Sequence, residues 1–197
     1  FFLFSNYMDC HWRYDPPAEI REKHVDASRE EIDRINDDLA RPWHFVNHVE
    51  GDQDLDEADV ETVRNLYAGE VEALDDHLRR ILDGLDEHGL REDTLVVVTA
   101  DHGELLGETD GRGYRRMGHE GSISDHLCRV PLVVAHPELD GRTVDDWVSI
   151  KDLCGLFTGG YERPFEEGDG NPLLPDDEVV FCEYPVVGGE HIYEKWP

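Results

Sequence analysis

The residues of this chain whose types and spacing could do chemistry gather around Asp101-His102-Gly103. A carboxylate and an imidazole side by side offer oxygen and nitrogen donors of the kind that hold a divalent cation, and Gly103 permits an abrupt turn beside them. They follow Thr94-Leu-Val-Val-Val-Thr-Ala100, an unbroken and largely β-branched apolar run. Such a run reads as a strand of a parallel sheet buried on both faces, and ligands of open α/β sheets sit at the carboxyl ends of strands. The alternative is a strand end capped by polar turn residues. A second candidate is His11, which follows the aromatic run Phe1–Met8. If that run is a strand parallel to the one ending at Ala100, His11 leaves the sheet at the same edge as Asp101 and His102. The third lies within Arg112-Gly-Tyr-Arg-Arg-Met-Gly-His119, a local basic cluster in a very acidic chain. Cations there would attract an anionic substrate, or would neutralise neighbouring acids.

The elements that must position these groups follow from periodicity. Ile32, Ile35 and Leu39 predict a short amphipathic helix from Asp26 to about Leu39, with Asp26 or Ser28 as N-cap. Pro16-Pro17 predicts an extended exit that excludes helix there. Arg41 to Asp54 reads as a loop, so His44 and His48, four apart, read as surface histidines. Asp56 to His88 carries the strongest helical pattern, with Asp56 as cap, Gly89 as left-handed terminus, and Gly69 and Gly84 as points of bending or close packing. Asp75 and His77 are assigned to its solvated face. Helix, turn and strand in this order predict a βαβ crossover. Glu104 to Cys128 reads as a long loop, Val130–Ala135 and Glu178–Tyr184 as further strands, Val148–Phe157 as a short helix, and Gly159–Asp177 as loop.

Composition bounds the partners. Eighteen basic against 47 acidic residues give a formal charge of −29, which repels nucleic acid and anionic membrane surfaces. Acid pairs recur, and only Lys23, Lys151 and Lys195 are lysines, a pattern that reads as salt adaptation of the halophilic kind. Cys10, Cys128, Cys154 and Cys182 form no Cys-x-x-Cys pair, so reduced, partly buried thiols are expected. No stretch reaches the ~18 apolar residues of a membrane span.

Taken together, four pieces resemble a type I, formylglycine-dependent sulfatase of the alkaline-phosphatase-like superfamily. They are Phe2–His11 with Pro16-Pro17; Tyr67–Asp75 leading into Leu82-Asp-Gly-Leu; Thr94–Gly107; and Gly118-His119 before Arg129–Val133. Their order and spacing agree over residues 1–157, and 158–197 resemble the family less. The resemblance implies an α/β fold, a mainly parallel sheet sandwiched by helices and incomplete at the amino terminus, with residues 1–197 forming part of a single catalytic domain. It further implies that Asp101 and His102 bind a divalent cation. Calcium is favoured, with manganese or magnesium as alternatives, an imidazole ligand pointing toward a transition ion. His11 and His119 would contact the sulfate or the leaving oxygen, and one of them would be the catalytic acid.

The substrate implied is a small-molecule or saccharide sulfate ester. Family members make their nucleophile from a Cys-x-Pro-x-Arg motif and complete the metal site with an Asp-Asp pair near the amino terminus; the nucleophile is therefore expected upstream of Phe1, and the residues as given are expected to be inactive alone. Two other readings stay open: a phosphoester or phosphonate hydrolase or transferase of the same superfamily, and a non-catalytic acidic domain that binds cations weakly.

Overall fold

A computed structural model describes residues 1–40, 55–109, 115–119, 123–137, 139–145, 148–150 and 153, together with the backbone of 180–185 and 191–196. Three helices form one layer. Helix α1 (Ala18–His24) begins directly after Pro17, which occupies its N-cap. The proline pair was expected to exclude helix; instead it ends where a helix starts, because a proline at a helix amino end gives up only an N–H that has no intrahelical partner. Helix α2 (Arg29–Leu39) starts at Ser28, whose side chain accepts from the Glu31 backbone while the Glu31 carboxylate returns to Ser28. Helix α3 (Glu57–Glu87) starts the same way, with Asp56 and Asp59 satisfying each other's backbone donors. Gly89, at φ 65°, follows its end.

The apolar stripes of these helices meet. Ile32, Ile35 and Leu39 of α2 pack with Val60, Val63 and Leu66 of α3, and with Tyr14 and Met117, in one buried cluster. Val63 and Leu66 are wholly buried, and each contributes about 1.5–3 kcal/mol relative to exposure. Gly69 faces Pro16 so closely that an added Cβ would sit 2.8 Å from its ring, so α3 packs against the Pro16 segment as the glycine suggested. An Arg34–Asp59 ion pair joins α2 to α3.

Strand β1 (Val96–Thr99) pairs with β4 (Leu132–Ala135), Val97 opposite Val134 and Val98 opposite Val133. Between them, β2 (Leu105–Thr109) and β3 (Arg115–Gly118) form a hairpin with a bulge between Leu106 and Glu108, and α4 (Asp125–Cys128) precedes β4. The segment read as a long loop is thus largely a hairpin and a helical turn. Leu105 and Met117 are buried, and β2 lies on α3. Strand β5 (Val180–Pro185) pairs antiparallel with β6 (His191–Trp196), a strand absent from the sequence reading.

The fold is α/β, but the expected parallel sheet is not what these strands form: among the described residues every strand pair is antiparallel. An apolar run encodes burial and says nothing about a neighbour's direction. Among the described residues the chain returns from β1 to β4 through two paired strands and a short helix, with no crossover helix, and arrives antiparallel. Phe1–Met8 is not a strand; Phe1, Phe2, Leu3 and Phe4 are all more than 70% exposed, because β-propensity makes a strand only where a partner strand accepts its hydrogen bonds. No β-strand therefore precedes α3 among the described residues, and the crossover is not formed there. His44, His48, residues 154–179 and most of the Val148–Phe157 helix lie outside the described residues.

Candidate functional site

The Asp101-His102-Gly103 turn leaves β1 as the sequence predicts. Its glycine is required for space: a Cβ at Gly103 would sit 1.9 Å from the His126 carbonyl oxygen, while the Gly103 N–H donates to the Leu127 carbonyl at 2.8 Å. The turn is thereby clamped to α4. Asp101 projects outward, its side chain 89% exposed, and its Oδ1 accepts only a backbone N–H, that of His102, at 3.1 Å among the hydrogen bonds described.

Three imidazoles come together beside it. The His102 and His119 rings lie 4.2 Å apart by centroid, and those of His11 and His119 lie 5.4 Å apart. Each has its Nδ1 against a fixed oxygen. His102 Nδ1 meets the Gly103 carbonyl at 2.8 Å, His11 Nδ1 meets the Trp12 carbonyl at 2.6 Å, and His119 Nδ1 meets the Glu104 carboxylate at 3.1 and 3.3 Å. A carbonyl or carboxylate oxygen can only accept, so Nδ1–H donates in every case and Nε2 carries the available lone pair or exchangeable proton. All three site histidines singled out in the sequence are therefore in one place. His11 arrives by a loop, and not from the end of a parallel strand.

That loop is built from the helices. Asn36 of α2, 1% exposed, accepts from the Tyr14 N–H at 3.0 Å and donates to the Tyr14 carbonyl at 2.9 Å, while the Trp12 indole donates to the Asn36 carbonyl at 3.2 Å. Glu70 of α3 accepts from the Asp15 N–H at 2.7 Å. Tyr14, itself buried, stacks edge-on against Tyr67 and lies beside Glu104. Burial, then the Glu104 charge, pushes its phenol well above the usual range, so it is a permanent donor.

The reading of the site from sequence missed Tyr14, Asn36, Glu70 and Glu104. Glu104 carried a signal, an acid one residue beyond Asp-His-Gly; the others are joined to the site only by tertiary contacts.

Burial pushes the Glu70 carboxyl up to about 7, opposed by its bond from the Asp15 N–H and aided by Asp9 and Asp15. The folded state thus holds that proton more tightly than the unfolded chain, whose glutamate titrates near ~4.3. Stability is greatest below that value and is lost as pH rises toward 7, by about 3–4 kcal/mol in all. Glu70→Gln keeps the acceptor for Asp15 without the charge. It is expected to raise the denaturation midpoint at about pH 8 and to flatten its dependence between about pH 4.5 and 7; a variant as pH-dependent as the parent would remove Glu70 as the source.

One member of the basic cluster is committed elsewhere. Arg115 is ion-paired to Glu57 and donates from Nε to the Gly107 carbonyl at 2.8 Å, and Glu57 is held below the usual carboxylate range by that guanidinium. For Arg115 the salt-bridging reading applies, and not attraction of substrate. Arg112 lies outside the described residues. Cys10 is half-buried, its thiol pushed up to about 11 by burial and the nearby Glu70 and Asp9, so it is a poor nucleophile at neutral pH.

The donor set of Asp101 and His102 suits a divalent cation in type. His102 Nε2 and Asp101 Oδ1 stand 3.9 Å apart, a gap that two metal–ligand bonds of about 2.0–2.5 Å can span. They make only part of a coordination sphere: among the described residues no group of three or more His, Cys, Asp or Glu side chains is arranged to hold a metal.

The fold has a solved counterpart. A phosphonate monoester hydrolase from Silicibacter pomeroyi superimposes with a TM-score of 0.53 at 26% identity, over 85% of this chain and 33% of that one. The class defined is thus an α/β protein of the alkaline-phosphatase-like superfamily, a superfamily of hydrolases that generally use a divalent metal. More narrowly, the sulfatase family model matches residues 1–154, and the chain belongs to that family. Its relatives include an uncharacterised sulfatase, YidJ, of Escherichia coli, 29% identical over 94% of this chain and 35% of that protein. Others are the low-salt glycan biosynthesis sulfotransferase Agl7 of Haloferax volcanii, 33% identical over 70% of this chain and 35% of that protein, and the mouse steryl-sulfatase, 34% identical over 58% and 20%. The chain spans about a third or less of the length of these relatives.

Proposed function

We propose that residues 1–197 are part of one catalytic domain of a sulfuric ester hydrolase, acting on a small-molecule or saccharide sulfate ester with a divalent cation. The observation that carries this reading is the gathering of His11, His102 and His119 beside Asp101, within a stretch matched by the sulfatase family. Relatives named for their activity include a choline-sulfatase and an ulvan-active sulfatase, which supports an ester of small-molecule or saccharide type.

In this reading Asp101 and His102 hold the cation, for which calcium remains the first choice and manganese or magnesium the alternatives. The cation supplies charge to stabilise the negative oxygens of the sulfuryl group. His11 and His119 bind the sulfate through Nε2, since their Nδ1 atoms are occupied by Trp12 and Glu104. His119 Nε2 is the preferred position for the proton taken by the departing alkoxide, with His11 the alternative. That ring packs on His102 and has the buried Glu104 carboxylate at its Nδ1. No Cys-x-Pro-x-Arg motif occurs in the 197 residues, so the attacking group is supplied from outside them.

A second reading, hydrolysis of phosphonate or phosphate esters, is favoured by the likeness to the Silicibacter pomeroyi hydrolase and by a multifunctional alkaline phosphatase superfamily protein, PehA, of Trinickia caryophylli, 34% identical over 61% of this chain. One assay separates them. The full-length protein is given 4-nitrophenyl sulfate, phosphate and phenylphosphonate, which share a leaving group and differ in the atom attacked. A sulfate kcat/KM at least about 100-fold above the others is expected. A phosphonate or phosphate preference would replace the first reading by the second, and inactivity on all three would sink both.

A further inference from the structure

Behind the site runs a buried relay that the ester chemistry above does not itself require. Glu104 has only 5% of its side chain exposed and faces His119 Nδ1 with both carboxylate oxygens, at 3.1 and 3.3 Å. Tyr14, 3% exposed, lies close enough to the same carboxylate for the Glu104 charge to push its phenol upward. Its own backbone is clamped on both sides by Asn36, 1% exposed. Hydrogen bonds tie helix α2 to the Tyr14 backbone through Asn36 and tie Glu104 to the His119 ring, with Tyr14 lying beside Glu104.

A buried carboxylate without donors is costly, and His119 Nδ1 supplies this one with a donor facing both oxygens. Its geometry also removes a freedom. An unrestrained neutral imidazole chooses between two tautomers and rotates about its side-chain bonds, so its proton can be on either nitrogen. Glu104 offers acceptors only at Nδ1.

We propose that Glu104, held in place by Tyr14, is a positioning residue that fixes the ring orientation and the Nδ1–H tautomer of His119, so that Nε2 always faces the site. Its catalytic consequence rests on the reading of His119 as a site residue; its structural content does not. Glu104 touches neither substrate nor cation in this account, and acts through the histidine it orients. Carboxylates that orient a histidine in this way typically contribute about 10–100-fold in activity.

The test uses the full-length protein carrying 15N-labelled histidine, with long-range 1H–15N spectra recorded at about pH 8, where free imidazole is neutral. The His119 signal is assigned by its loss in His119→Gln. In the parent, His119 is expected to show a protonated Nδ1 and a bare Nε2. Glu104→Ala and Tyr14→Phe are both expected to give a mixture of tautomers, whereas Glu104→Gln, which keeps one acceptor oxygen, retains the parent pattern. Tyr14→Phe preserves volume, so it reports even if Glu104→Ala does not fold. With any substrate found active, kcat of Tyr14→Phe should fall by about 10–100-fold while KM changes by no more than about threefold. An unaltered Nδ1–H pattern in Tyr14→Phe and Glu104→Ala would overturn the proposal. Inactivity of the parent on every ester would sink the hydrolase reading and leave the spectroscopic result standing, so the two failures are distinct.

Discussion

Replacing Asp101 by alanine is expected to release the divalent cation from the full-length protein and to bring turnover to background. The side chain is 89% exposed, and the one hydrogen bond described for it is to the backbone of the next residue, so its removal breaks no packing. A fold change is therefore not the expected cause of the loss; surface substitutions of this kind stay within about 0.5 kcal/mol. A metal ligand lost outright should cost more than the roughly 10–100-fold that follows loss of a supporting group. Bound metal counted by elemental analysis after dialysis, beside a thermal melt, gives the answer. Loss of metal at an unchanged melting temperature is the expected pair. Metal content equal to that of the parent would take Asp101 out of the site, and removal of the cation by a chelator should reproduce the variant's kinetics if Asp101 does hold it.

His119→Ala carries the second large effect. Removing a general acid typically lowers turnover by about 10²–10⁴-fold. The substitution also strips the buried Glu104 carboxylate of its His119 donor; a cost of about 1–3 kcal/mol is expected. His119→Gln separates the two effects, because its amide can still donate to Glu104 but cannot deliver a proton as an acid. Both variants should therefore be similarly inactive, with the Gln variant closer to the parent in stability. The comparison is best made with esters of graded leaving groups: the deficit should shrink as the leaving alkoxide becomes a weaker base and needs its proton less. Turnover of either variant within about twofold of the parent would end the assignment of His119 as acid and pass that role to His11.

Of the candidate site, the Asp101-His102-Gly103 turn after β1 was legible in the sequence. Asp101 and His102 were placed by the run of valines before them, because a strand presents its carboxyl end at a predictable residue. The caps of α2 and α3 were readable from Ser28 and Asp56, since a helix amino end needs acceptors for its free N–H groups. Helix α1 was not readable, because a proline pair is compatible with both an extended exit and a helix start. The hairpin β2–β3 was hidden by glycines that look like loop, although Leu105 and Met117 are buried inward-facing residues of a bulged ladder. The basic cluster suggested an anion site; Glu57, 58 residues earlier, takes up Arg115.

By itself, the sequence determined the strong helix α3 and the central strand, because those depend on residue type and short-range period, and it held the motifs on which the family resemblance rests. Tertiary structure alone decided strand direction, the fate of Phe1–Met8 as an exposed segment, and the meeting of His11 with His119 across more than 100 residues of chain. It also decided that Tyr14, Asn36 and Glu104 stand behind the site. The reason is physical: periodicity records which face of an element is apolar, whereas strand direction and buried polar contacts depend on partners that are distant in sequence and are chosen only when the elements pack.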